Sequence, residues 1–235
     1  MSDENVPRYP KFDYNEYPKT LERDDFWGQT RRTKYGKRIS EEEVKFLIDA
    51  INHGLALSRN DFLLDIACGN GALSSRLFDY CGGYLGVDAS SYLIEIADQY
   101  FSRVPDYSFV HLDASQYMKS ECEPDRFTKA LCYASIQFFE PEDLAEVLKV
   151  LTERFVRVRR LFIGQIPDVE LANLFFSDGV VFSDELNSPK TQVGRWFSTD
   201  EILEWARNLG WSCEIRRMPI EIFNSAYRFD VLFER

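Results

Sequence analysis

Three aspartates in the first half of the chain each follow an apolar run. Asp65 comes after Phe62-Leu63-Leu64, Asp88 after Tyr84-Leu85-Gly86-Val87, and Asp113 after Phe109-Val110-His111-Leu112. Behind the first lies a turn of small residues, Ala67-Cys68-Gly69-Asn70-Gly71, of the kind that lets backbone approach a ligand closely. Two ligand chemistries compete for this turn. A dinucleotide asks for a third glycine, with pyrophosphate against a helix N-terminus; here Ser74 takes that position. Asp65 stands just before the turn, where a carboxylate repels pyrophosphate and attracts a cationic amine. Asp88 suits a ribose diol in either case, because one carboxylate accepts from two hydroxyls. Asp113 is placed to accept from an exocyclic amine. For each acid the plainer role is a turn or helix-cap carboxylate.

Strands must hold these acids, and the pattern supplies them. Ser40-Glu41-Glu42-Glu43 is a capping box opening an amphipathic helix through Val44, Leu47, Ile48 and Ile51 to Gly54. Strands are expected at Phe62–Ala67, Tyr84–Asp88, Tyr107–Asp113, Phe127–Ala134 and Arg160–Gln165. Helices are expected over Ala72–Tyr80, Ser91–Phe101 and onward from Pro141, a proline suited to the first helical position. Alternation at this spacing predicts an α/β, doubly wound, mostly parallel sheet with helices on both faces. In the tail, Ser198 caps a helix through Leu209. The runs Trp211–Arg217 and Tyr227–Phe233 are joined too closely for a crossover and should pair antiparallel. That gives seven strands with an antiparallel last strand. Ligands of such sheets bind outside the carboxyl ends of the strands, where the three acids fall.

An amine, a diol and an adenine in that order describe S-adenosylmethionine, and at this point the chain resembles the class I S-adenosylmethionine-dependent methyltransferases. Asp65-Ile66-Ala67-Cys68-Gly69-Asn70-Gly71 is similar to their first motif, with Ala67 where the first glycine usually sits. Leu85–Ser90 resembles the second motif, His111–Ala114 the third and Leu131–Phe138 the fourth. The resemblance covers residues 40–235, preceded by an arm over 1–39 and interrupted by a polar-aromatic insertion over 168–197. It implies that Gly69 and Gly71, with Ala67, Cys68 and Asn70, admit the methionine end of the cofactor, whose amine Asp65 helps to hold. By the same resemblance Asp88 grips the ribose, while Ala89, Ser90 and Leu93 line the adenine. Asp113 and the Ala114 amide meet the adenine's edge, and the Tyr133 carbonyl lies at the amine. S-adenosyl-L-homocysteine is the implied product.

Methyl transfer from a sulfonium is mostly a matter of alignment, so a general base is the informative residue. Candidates are thin. Gln137 follows the fourth strand and can orient an acceptor but not deprotonate it; Tyr133 and His111 are the others, His111 reading more readily as a buried structural histidine. The arm carries Phe26-Trp27-Gly28-Gln29-Thr30-Arg31-Arg32. Such arms fold over the cofactor in small-molecule methyltransferases, which adds Trp27, Gln29 and Arg32 to the expected cofactor site, with Arg31 or Arg32 pairing with a carboxylate or an acceptor phosphate. Arm and insertion together are expected to form a lid.

The formal net charge of −11 disfavours nucleic acid as the main partner. The 5 cysteines lack a C-x-x-C pair and only 2 histidines exist, so neither a disulfide framework nor a metal site is expected. Asp168 alone does not make a metal-dependent catechol site. No apolar run approaches a membrane span and no secretory leader is evident, so a cytoplasmic protein is expected. The expected reaction is O- or N-methylation of a small metabolite. The arm and the ending Tyr227-Arg228-Phe229-Asp230 resemble those of enzymes acting on nucleotide-linked sugars or polysaccharide precursors. The alternatives are a protein methyltransferase drawn to basic tails by the acidic surface, and a cofactor-binding regulatory subunit without activity.

Overall fold

A computed structural model describes residues 9–34, 36–176, 183–222 and 224–235. Residues 1–8 of the expected arm, Tyr35 of its basic run and residues 177–182 of the expected insertion lie outside the described residues. The apolar runs become β1 (Phe62–Ile66), β2 (Gly83–Asp88), β3 (Tyr107–His111), β4 (Lys129–Tyr133), β5 (Arg160–Pro167), β6 (Ser212–Arg216) and β7 (Arg228–Glu234). They form one sheet in the order β3-β2-β1-β4-β5-β7-β6, in which β7 is antiparallel to both neighbours and the other pairings are parallel.

Successive side chains on β1 enter opposite cores, as period-two geometry requires. Leu64 and Ile66 join α3 (Ala114–Ser120), α4 (Pro141–Arg154) and α5 (Thr199–Leu209), whereas Leu63 joins α1 (Glu41–Leu55), α2 (Ser91–Phe101) and Trp27 of the arm. The α1 capping box forms in full: Glu43 N–H donates to the Ser40 hydroxyl at 3.1 Å and Ser40 N–H to the Glu43 carboxylate at 3.0 Å. Ser198 caps α5 by accepting from Glu201 N–H, and Gly210 ends it at φ 73°.

Two expectations fail. Where a helix over Ala72–Tyr80 was expected there is only a 3₁₀ turn, Ser74–Leu77. Ser75 donates its hydroxyl to the Ala72 carbonyl, a local bond that competes with helical backbone pairing, and Ser74 donates to Asp65 nine residues back, tying the turn to β1. Conversely, α3 was not anticipated; Asp113 ends no strand but caps α3, accepting from Ser115 N–H at 2.9 Å and Gln116 N–H at 3.2 Å.

Candidate cofactor and acceptor site

A cavity of about 840 Å³ runs along the carboxyl ends of the strands. Over β1, β2 and β3 its wall is made by Ala67, Cys68, Gly69, Asp88, Ala89, Ser90, Leu93, Asp113 and Ala114. Asp88 is fixed by backbone, accepting from Gly69 N–H and from Ser90 N–H, each at 2.8 Å. Burial raises its pKa and these two amides oppose the rise. Each oxygen keeps a lone pair for a further donor. Ser90 is spent differently: its hydroxyl caps α2 at Leu93 N–H and donates to the Tyr14 carbonyl at 2.7 Å, tying the arm to this corner. Burial pushes the Cys68 thiol well up, so it is no thiolate nucleophile.

Other residues expected at the cofactor do not line the cavity. Asp65 is 1% exposed and accepts from Ser74 and, at 2.9 Å, from the Tyr84 hydroxyl, bracing the turn from beneath. Burial lifts it to about 7, against the pull of those two hydroxyls and of Arg32. Gly71, at φ 73°, is also off the wall; a Cβ there would stand 2.6 Å from Phe109, so packing rather than ligand approach demands the glycine. Gly69, at φ 61°, does face the cavity, and a Cβ on it would meet only the Thr30 methyl within 4 Å, at 3.3 Å. Asn70 donates to the Phe26 carbonyl and to the Gln29 side-chain oxygen, each at 2.9 Å, while Gln29 donates back to the Glu22 and Arg23 carbonyls. With buried Trp27, these amides fasten the short helix Phe26–Gln29 onto the glycine turn. An amide offers a donor and an acceptor together, which suits a clasp. His111 is exposed rather than buried, with Nε2 3.1 Å from the Ala89 carbonyl, and it too lies off the wall.

Over β4, β5 and β7 the lining changes character. Tyr133, Gln137, Gln165 and Arg228 come together there with Arg32 from the arm. The Tyr133 hydroxyl, Gln137 Oε1 and Arg228 Nε are buried without a hydrogen-bond partner. The Arg32 guanidinium lies 5.8 Å from the Tyr133 ring centre and burial lowers its pKa. Between the two halves, the carbonyls of Ala67 and Tyr133 converge on the Ser135 hydroxyl, at 3.3 and 3.1 Å. Ser135 was not singled out in the sequence, although it sits inside the fourth motif. Nor were Tyr14, Lys11 and Asn224, whose placement on this wall depends on long-range packing.

The opposite wall combines arm and insertion. Lys11 N–H donates to the Lys190 carbonyl at 2.9 Å and Gln192 N–H to the Tyr9 carbonyl at 2.6 Å. The Tyr9 ring meets Phe175 edge-on at 5.9 Å. Asp168 takes no part: it is buried, caps the turn after β5 and pairs with Arg217.

The strand order, the acid-to-glycine turn, Asp88 at the end of β2 and Asp113 capping α3 just past β3 define a Rossmann-like domain with a site for a nucleoside-bearing cofactor. Its acceptors fit S-adenosylmethionine: converging carbonyls suit an ammonium and Asp88 a diol, while an open Gly69 allows a close approach. Residues 63–154 match the methyltransferase-domain family. An uncharacterized methyltransferase of Schizosaccharomyces pombe is 27% identical over 110 residues, 44% of this chain and 38% of that protein. The chain thus spans well under half the length of that curated relative. Similar folds include the methyltransferase domain of a bacterial Hen1, with TM-score 0.60 at 17% identity, covering 83% of this chain and 98% of the other. Magnesium protoporphyrin IX methyltransferase from Synechocystis PCC 6803 gives 0.58 at 15% identity, covering 93% and 97%. Geranyl diphosphate C-methyltransferase from Streptomyces coelicolor A3(2) gives 0.60 at 12%, covering 81% and 77%. Among the described residues no helix is long and apolar enough to cross a membrane.

Proposed function

We propose that this chain transfers a methyl group from S-adenosylmethionine to an oxygen or nitrogen of a small acceptor held in the same cavity. One observation carries the reading: the cavity of about 840 Å³ continues from the Asp88 end to the Tyr133–Arg228 end. That lies toward the upper end of the roughly 300–1,000 Å³ usual for ligand sites and leaves room for two molecules end to end. The cofactor supplies an already electrophilic methyl, so the protein's task is alignment and exclusion of water.

In this scheme the Ala67 and Tyr133 carbonyls accept from the cofactor's ammonium, the place first expected of Asp65. The free lone pairs of Asp88 accept from the ribose hydroxyls, and Asp113 with the Ala114 N–H meets the adenine. Arg32 faces the cofactor carboxylate. Gln137 Oε1, lacking a partner, accepts from the acceptor's O–H or N–H and turns its lone pair toward the methyl. Nucleotide-linked sugars and polysaccharide precursors are the acceptors to assay first.

Calorimetry with S-adenosylhomocysteine should show a micromolar dissociation constant, weakened at least tenfold in Asp88→Ala. Binding of NAD with no binding of S-adenosylhomocysteine would defeat the proposal. In a methyl-transfer screen with labelled donor, label in small molecules is expected; label in proteins alone rejects the small acceptor.

A further inference from the structure

The left-handed residue Gln165, at φ 60°, breaks the register between β5 and β7. The bulge frees a backbone N–H and a backbone C=O from the ladder, and β7 supplies a side chain for each. Asp230 accepts from Gln165 N–H at 2.7 Å, and Arg228 Nη1 donates to the Gln165 carbonyl at 2.8 Å. Asp230 is thereby occupied within the interior and does not line the cavity, whereas Arg228 does. Only 8% of Arg228 is exposed, its Nε has no partner, and among the described residues no carboxylate pairs with it. A buried guanidinium with no counter-charge is costly unless a ligand provides one. Its fork of donors matches a carboxylate or phosphate in two-point contact. Beside it the buried Tyr133 hydroxyl also lacks a partner.

We propose that the methyl acceptor carries an anionic oxygen group, a carboxylate or a phosphate, which Arg228 binds at the β5–β7 end of the cavity with the Tyr133 hydroxyl donating alongside. This rests on the methyl-transfer reading above. The cofactor brings a carboxylate of its own, which the reading above gives to Arg32 of the arm, whose guanidinium lies 5.8 Å from the Tyr133 ring centre. Arg228 starts β7, paired with Pro167 of β5 and three strands along the sheet from β1. Asp88 ends β2 and Asp113 caps α3 just past β3, in the half of the sheet beyond β1, and the remaining acids on the wall, Asp13, Glu140 and Asp143, come from the arm and from the start of α4.

The test uses full-length protein saturated with S-adenosylhomocysteine and titrated calorimetrically with benzoate and phenyl phosphate, against neutral benzamide and benzyl alcohol. One anion should bind at least tenfold more tightly than its neutral counterpart, and which anion wins separates carboxylate from phosphate. In Arg228→Gln that preference should fall below twofold while S-adenosylhomocysteine affinity stays within twofold. Arg228→Lys keeps the charge and covers the case in which the glutamine variant does not fold; there the preference should drop at least threefold. Equal binding of anions and neutrals, binding of neither anion, or loss of S-adenosylhomocysteine affinity in place of anion preference overturns the proposal. Failure of the wild type to bind S-adenosylhomocysteine at all strikes the methyl-transfer reading instead.

Discussion

Replacing Asp65 by asparagine should flatten the dependence of stability on pH. In the folded chain the Asp65 carboxyl sits beneath the glycine turn at 1% exposure, and burial carries it from 3.8 to about 7. The folded state therefore holds this proton more tightly than the unfolded chain does. Between about pH 4 and about pH 7 it keeps a proton that the unfolded chain has released, so this group's contribution to stability falls as pH rises through that window and is level above it. The slope is at most about 1.4 kcal/mol per pH unit, and the full excursion at most about 4 kcal/mol. Relaxation around the site brings the expected figure to about 2 kcal/mol. The asparagine side chain of Asp65→Asn has no proton to lose, and its amide can still accept from one of the Ser74 and Tyr84 hydroxyls while donating to the other. Urea unfolding of both proteins from pH 4.5 to 8.5 measures the effect. The stability difference, variant minus wild type, should grow in favour of the variant as pH rises and level off near pH 7. Subtracting the two curves removes every other titrating group common to both, including Asp230, which burial raises to about 6. Parallel curves across the range would refute the assignment of a buried, proton-retaining carboxyl at this turn.

The two turn glycines should separate stability from affinity. Gly71→Ala places a Cβ 2.6 Å from Phe109 at φ 73°, costing about 2–4 kcal/mol; Gly69→Ala meets only Thr30, at 3.3 Å, and should lose about 1 kcal/mol but most of its S-adenosylhomocysteine affinity. Thermal unfolding and calorimetry on both variants check the order, and the reverse pattern would contradict the wall assignment. Asn70→Ala removes the donor shared by the Phe26 carbonyl and Gln29, so limited proteolysis should cut between residues 22 and 33 at least tenfold faster than in the wild type; unchanged cutting would mean the clasp is not what holds the arm.

Features governed by neighbours along the chain were readable in advance. The Ser40–Glu43 box, the Pro141 start of α4 and the Gly210 stop of α5 all lie within a few residues of what they bond. The position of Asp88 was readable for a different reason, since any doubly wound sheet exposes the residues at its carboxyl edge, whereas Asp113 reaches that edge as the cap of α3, two residues past β3. Function within the edge was less legible. Asp65 satisfies the same motif whether it faces a ligand or turns under the loop, and only Ser74 and Tyr84, the latter 19 residues on, decide between them. Gly71 looks like a ligand-facing glycine until Phe109 is placed against it. The Arg228–Gln165 and Asp230–Gln165 bonds join residues more than sixty positions apart and depend on a bulge with no local signature.

The backbone itself marks where the two halves of the site meet. Among the described residues, non-glycine φ angles fall in the left-handed region at Arg31, Ala56, Ala67, Ala134, Gln165 and Asn224. Ala56 is the residue that ends α1; the other five all line the cavity. Each costs about 1–2 kcal/mol in a side-chain-bearing residue, and such strain persists only where surrounding contacts hold it. Ala67, Ala134 and Gln165 belong to β1, β4 and β5 or follow directly on them, adjacent strands at the centre of the sheet. A turn to the left there takes the chain out of the ladder. At the first two positions it goes with the Ala67 and Tyr133 carbonyls reaching a common point at Ser135. At the third it leaves the amide and carbonyl of Gln165 to Asp230 and Arg228. The strain at these three positions thus falls on the stretch of edge between the proposed ammonium contacts and the proposed anion contact, where the proposed transfer would bring the sulfonium methyl and its acceptor atom into line.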